Sequence, residues 1–144
     1  MWPILRSLEY RTNRINEMRS SETEALAAVD RYLAALNARD EAAIRDAFNF
    51  PHVRIGADGN FRIWNKPQDY HFEYFRKLTE ADGWHHTEWD KTEIVFATDA
   101  KAHVAVNFSR YREDNSLISR YFSLYVVTYR NGHWGIQAGS GDGT

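Results

Sequence analysis

The chain has 144 residues and carries 18 basic against 20 acidic side chains, a formal net charge of -2. That length fits one domain with a core of its own, and no global positive charge draws it to nucleic acid or anionic membrane. The absence of cysteine excludes disulfides, thiolate nucleophiles and Cys-ligated metal sites.

A hydrophobic fraction of 43% beside 26% charged residues fits a folded chain. No apolar run approaches the ~20 residues of a membrane helix. Aromatic residues reach 15% of the chain. They suit either a large aromatic core or an apolar cavity into which Tyr and Trp turn their polar tips.

Residues 1–8 lack the apolar stretch and small-residue cleavage site of a secretion signal, so a cytoplasmic location is expected. Residues 1–20 read as an N-terminal helical extension, with Ile4, Leu5, Leu8, Ile15 and Met18 in a broken stripe among arginines. Ser21 with Glu24 is a capping-box pattern and predicts a helix start. Leu26, Val29, Leu33 and Leu36 then recur at helical spacing. Asp40 is placed to cap a short second helix whose apolar side is Ala43, Ile44, Ala47 and Phe48, ending by Pro51. Val53/Ile55 and Phe61/Ile63 flank Asp58-Gly59, which predicts a hairpin. A third helix is predicted from Pro67, with Tyr70, Tyr74, Phe75 and Leu78 on its apolar side and Gly83 just past its end. Four strands follow, over 84–97 with a break or bulge near Asp90–Thr92, 102–112, 117–129 and 133–140. Asn131-Gly132 is a strong hairpin turn between the last two. Residues 139–143 are glycine-rich, and 141–144 read as a flexible tail.

Helices followed by antiparallel strands give an α+β fold, with the helices on one face of a curved sheet and a pocket at its deep end. Within it, the run Val29-Asp30-Arg31-Tyr32-Leu33-Ala34-Ala35-Leu36-Asn37-Ala38-Arg39-Asp40 resembles the first helix of ketosteroid isomerases. Gly132-His133-Trp134-Gly135-Ile136 is similar to the opening of the final strand in the wider SnoaL-like, or nuclear transport factor 2-like, superfamily. The resemblance spans about residues 22–140 and implies a cystatin-like α+β barrel: a cone-shaped mixed sheet with three helices on its concave face, one domain over 21–140. It does not fix an activity, because the superfamily holds isomerases, dehydratases, cyclases, epoxide hydrolases and plain binding domains.

By the resemblance, Tyr32 falls where ketosteroid isomerases keep an oxyanion-hole tyrosine, and Tyr125 falls near their second oxyanion donor. Their general-base acid has no counterpart in His52-Val53-Arg54-Ile55. The Asp-centred chemistry of the epoxide hydrolases has none in Asn107-Phe108-Ser109-Arg110 or in the last strand. Of His85 and His86, which point to opposite faces, His86 is preferred as an inward general base because it shares phase with Ile94 and Phe96; a bulge between them would exchange the two. His52, alternating with Val53, is expected to face out. No His-x-His or His-x3-His pair suggests a metal, and no cofactor is expected.

Tyr121, Ser123 and Tyr125 share one phase of their strand and are expected to line the pocket together with Phe108, Trp134 and Ile55. The opposite phase, Phe122, Leu124 and Val126, needs cover, and a second copy packed sheet to sheet supplies it. The expected partner is a small hydrophobic, carbonyl-containing molecule. The function is either acid–base lyase, isomerase or cyclase chemistry by Tyr32, Tyr125 and His86, or ligand binding or dimerisation without catalysis.

Overall fold

Nothing in the sequence near Ser21 breaks a helix, and the first helix runs through it. The structure is a computed structural model that describes residues 2–143, with side chains from residue 20 onward. Helix α1 spans Trp2–Asn37, so Ser21 is a buried position inside it and not its cap. The apolar stripe expected over Ile4–Met18 lies outside the residues whose side chains are described. At its C-terminal end Arg39 takes a positive φ of 55°, and the backbone N–H groups of Ala38, Arg39 and Asp40 close the last turn on Ala34, Leu36 and Ala35. Asp40 then caps α2 (Glu41–Ala47) as the sequence predicts, its carboxylate accepting from Ala43 N–H at 3.0 Å.

The predicted third helix is divided. A 3-10 turn at Pro67–Asp69 is followed by extended backbone at Tyr70, then by α3 (Glu73–Thr79) and a second 3-10 turn ending at Gly83 with φ 74°. Side chains of α2 hold the break open. Arg45 donates twice to the Tyr70 carbonyl, at 2.9 and 2.7 Å, and Glu41 accepts from Phe72 N–H at 2.8 Å. Leu78, expected on the apolar side, is exposed.

Six strands form one mixed sheet: β1 (Phe48–Ile55), β2 (Phe61–Trp64), β3 (His86–Ala97), β4 (Lys101–Tyr111), β5 (Leu117–Arg130) and β6 (His133–Gly141), in the order β2-β1-β6-β5-β4-β3. Only the β1–β6 pair is parallel. The α1 helix packs across β3, β4, β5 and β6. The core beneath it holds Val29, Ile44, Val104, Val106, Val127 and Ile136. This is the expected three-helix α+β architecture. The hairpin turns at Gly59 and Asn131-Gly132 carry the positive φ angles that their residues favour.

Register shifts decide which side chains face the helices. In β3 the pairing slips between Trp89 and Lys91 and again between Ile94 and Phe96; in β1 it slips between Phe48 and Val53, and between β5 and β6 at Val126/Val127. In β3 each extra residue reverses the inside/outside alternation beyond it. Gly141, read in sequence as the start of a tail, extends β6 beside β5, and Asp142 bonds to Phe122 through both its N–H and its carboxylate.

Candidate functional site

A cavity of about 50 Å³ opens between α1, the broken α3 segment and the sheet. One inward-facing register row builds its floor: Arg54 on β1, Gly139 on β6 and Tyr125 on β5. Gly139 supplies the space. A Cβ there would lie 2.8 Å from Arg54 Nη1 and 3.1 Å from the Tyr125 ring. Tyr32 and Leu36 of α1 form the roof, and Thr87, Trp89, Phe108 and Arg110 form the wall from β3 and β4. The opposite wall is aromatic. The Phe48 and His52 rings stack at 3.7 Å and 7°, Tyr70 meets Phe48 edge-on, and Trp64 packs on Tyr70 and His52.

The space exceeds the ~10–15 Å³ that a single water requires by a few-fold. It holds a few waters or one small group, not a polycyclic body.

Tyr32 and Tyr125 come together as expected, with ring centroids 6.0 Å apart. Desolvation, reinforced by the neighbouring Tyr125 and Tyr70, holds the Tyr32 hydroxyl well above the ordinary phenol range. Both it and Tyr70, raised mainly by burial, stay protonated and able to donate. Phe108 also lines the cavity.

His86 does not reach it. The extra residue at Asp90 places Thr87 and Trp89 inside and turns His86 outward, where it stacks on Tyr111 at 5.1 Å and lies 3.7 Å from Glu88. His85 is exposed, before the strand begins, and also stays outside. Three expected lining residues lie elsewhere. Ile55 points to the outer face and is exposed. Trp134 sits at the far end of β6 against Tyr129, its carbonyl accepting from Arg31. Tyr121 lies behind Arg110, its ring stacked on Phe108. Ser123 is fully buried and touches the cavity indirectly, its hydroxyl accepting from Arg54 at 3.1 Å.

His52 is the reversal with most chemical content. It faces inward in phase with Phe48 and Arg54, although its apolar neighbours Val53 and Ile55 face out. Its Nδ1 lies 2.8 Å from the Ile136 carbonyl, so Nδ1 carries the proton and Nε2 is left as the bare acceptor. Burial lowers its pKa to about 4, against the opposing effect of that hydrogen bond. Sequence reasoning also missed Arg54, Trp64, Tyr70, Thr87, Trp89 and Arg110. For Arg110 a signal was present, since it continues the inward phase of Val104, Val106 and Phe108. The guanidinium is buried, with Tyr121, Phe75 and Phe108 ring centroids 4.7, 5.2 and 5.5 Å from its Cζ, and it donates to the Gly143 carbonyl. Among the described residues, no group of three His, Asp or Glu side chains is arranged to hold a metal. No described helix is long and apolar enough to cross a membrane.

The fold has many counterparts among solved structures. An NTF2-like protein of unknown function from Pseudomonas putida KT2440 superposes with a TM-score of 0.67 at 12% identity, over 86% of this chain and 87% of that one. A ketosteroid isomerase-like protein from Erwinia carotovora atroseptica SCRI1043 gives 0.62 at 16% identity, over 83% and 93%. A type 2 hexachlorocyclohexane dehydrochlorinase gives 0.64 at 11% identity, over 87% and 86%. At such identities the likeness is one of fold. No curated protein matches the chain significantly. The family model for NTF2-like protein (DUF6841) matches residues 21–142, and the chain belongs to that NTF2-like family.

Proposed function

We propose that the protein binds a small, partly aromatic, carbonyl-bearing molecule in the cavity between α1 and the sheet. The observation that carries this reading is the lining itself. Aromatic rings form the walls, and Tyr32 and Tyr125 line the cavity from two elements with their phenol rings 6.0 Å apart. Names among the structural neighbours, a ketosteroid isomerase-like protein and a dehydrochlorinase, support a small-molecule site in this fold. The test is a thermal-shift titration with small aromatic ketones and acids. Ligands that stabilise the wild type are expected to lose at least tenfold in affinity in Tyr32→Phe/Tyr125→Phe and in Gly139→Ala, whose methyl enters the cavity. Unchanged affinity in both variants contradicts the reading.

One observation favours a second reading, in which the protein is an acid–base lyase or isomerase. Among the described residues His52 is the one histidine lining the cavity, and its open Nε2 is placed to take a proton while Tyr32 and Tyr125 hold the developing oxyanion. Among the described residues, no Asp or Glu side chain lines the cavity to share that work. A base of pKa about 4 is weak, which is why binding is placed first. Turnover abolished by His52→Gln but retained in His86→Ala would establish this second reading.

The outer face of the sheet points to self-association as a homodimer. One register row, Ile63, Val53, Ala138, Val126, His103 and Phe96, crosses all six strands facing away from the helices, with Phe122 on the same face. Phe61, Ile63, Phe96 and Phe122 are exposed.

A further inference from the structure

Among the described residues, every polar side chain lining the cavity carries a hydrogen-bond donor at the cavity except His52. The others are arginines, tyrosines, tryptophans and a threonine. With the His52 Nδ1 proton committed to the Ile136 carbonyl at 2.8 Å, Nε2 can only accept. On the facing wall the Trp89 indole N–H can only donate, and it is buried without a hydrogen-bond partner among the described residues. We infer that the molecule bound there carries a hydroxyl that donates to His52 Nε2 and, at the other end of a flat ring, a carbonyl oxygen that accepts from the Trp89 N–H, the pattern of a small hydroxyaryl ketone. This inference rests on the binding role proposed above for the same cavity.

Three features support it. First, the acceptor is fixed in direction and in protonation state. The His52 ring is stacked on Phe48 at 3.7 Å and 7°, so it does not turn freely. The two nitrogens of an imidazole point to opposite sides of the ring, and Nε2 therefore points away from β6, whose carbonyl holds Nδ1. Burial lowers the pKa to about 4, so the ring is a neutral acceptor at pH 7.

Second, the two groups make opposite demands on a ligand. A buried donor or acceptor left unpaired is costly, and a site built around such groups rejects analogues that lack the complement. An aromatic ketone alone answers Trp89 and leaves Nε2 bare. A phenol alone answers His52 and leaves the indole N–H bare.

Third, the two groups are separated by a flat aromatic surface. His52 on β1 and Trp89 on β3 have β6, β5 and β4 between them. Ring contacts run from His52 through Phe48, Tyr32 and Tyr125 to Trp89. A planar body lies along such a surface with a polar group at each end, and the cavity of about 50 Å³ limits that body to a single ring.

The experiment is calorimetric titration of the full chain at pH 7 with para-hydroxyacetophenone, with acetophenone, which lacks the hydroxyl, and with para-ethylphenol, which lacks the carbonyl. The hydroxyketone is expected to bind at least tenfold more tightly than either. His52→Phe keeps a ring and loses Nε2. It is expected to cut hydroxyketone affinity tenfold or more and to leave acetophenone unchanged. Trp89→Phe is expected to cut hydroxyketone affinity similarly and to leave para-ethylphenol unchanged. If a variant fails to fold, as circular dichroism would report, the wild type carries the test. In nitrogen spectra of the histidine-labelled protein, the His52 Nε2 signal is expected to move with para-hydroxyacetophenone and not with acetophenone. Acetophenone binding as tightly as the hydroxyketone overturns the hydroxyl assignment, and para-ethylphenol binding as tightly overturns the carbonyl assignment. Either result leaves the binding cavity standing. Binding of none of the three at millimolar concentration overturns both this inference and the binding role it rests on.

Discussion

His52 is a base that the fold keeps neutral. In the native state it takes a proton only near pH 4, whereas in an unfolded chain it does so near 6.5. Between those values the unfolded state binds more protons, so stability falls as pH drops from about 6.5 toward 4 and this contribution is flat below that range. The loss amounts to about 2 kcal/mol by pH 5 and about 3 kcal/mol by pH 4. Urea titrations at pH 7 and pH 5 are expected to show it in the wild type and to show a much smaller difference in His52→Phe, which keeps the ring stack and cannot titrate. Equal pH dependence in the two proteins would place the titrating group elsewhere.

Two glycines of β6 separate flexible from rigid crowding. A methyl at Gly139 meets the far end of Arg54, which can move, and the edge of the Tyr125 ring. A methyl at Gly141 meets the Phe122 carbonyl at 2.1 Å, which is backbone and cannot. Gly139→Ala is expected to cost about 1 kcal/mol and Gly141→Ala about 3 kcal/mol or more. Thermal melts should show Gly141→Ala as the lower of the two, and the reverse order would contradict the packing described for β6.

At the scale of elements, the site depends on interruptions. The break before α3 turns the Tyr70 ring into the cavity, and Arg45 keeps it open with two bonds to the Tyr70 carbonyl. Arg45→Met is expected to destabilise by about 1–3 kcal/mol, measured in urea, and to weaken ligand binding although Arg45 lines no part of the cavity. Retained affinity would show that Tyr70's placement does not depend on that contact. The interruptions also explain what could be read from the sequence. Caps and turns at Asp40, Gly59, Gly83 and Asn131-Gly132 are local, so element order and most boundaries were legible. The inward phase of β4 and β5 was legible too, because alternation there runs unbroken from Val104 to Phe108 and from Tyr121 to Tyr125. In β3 a single extra residue reverses the phase, which exchanged His86 for Thr87 and Trp89. In β1 the phase is regular, with Phe48, His52 and Arg54 inward in place of Ile55. Apolar residues normally mark the buried face, yet in β1 the apolar Val53 and Ile55 face out while the polar His52 and Arg54 face the cavity. A cavity lined by polar side chains inverts the usual pattern, and hydrophobicity alone points the wrong way there.

At the scale of the whole molecule, the sheet has two working faces. The inner face and the helices enclose the cavity, and the outer face carries the apolar row that we propose joins two copies. Analytical ultracentrifugation is expected to find a dimer for the wild type and a folded monomer for Phe122→Asp. A wild-type monomer at micromolar concentration contradicts the proposed interface without touching the cavity.

Binding of a small molecule in the cavity beneath Tyr32, as proposed above, is reported directly by the tryptophan indoles. Trp64 and Trp89 line the cavity, while Trp84 and Trp134 do not. In nitrogen–proton correlation spectra of the labelled protein, titration with benzoate and a panel of small aromatic ketones is expected to shift the Trp89 and Trp64 indole signals saturably and to leave Trp134 unmoved. Saturable binding that moves Trp134 and leaves Trp64 and Trp89 in place, or no shift of either cavity indole with any of these compounds, would contradict the account.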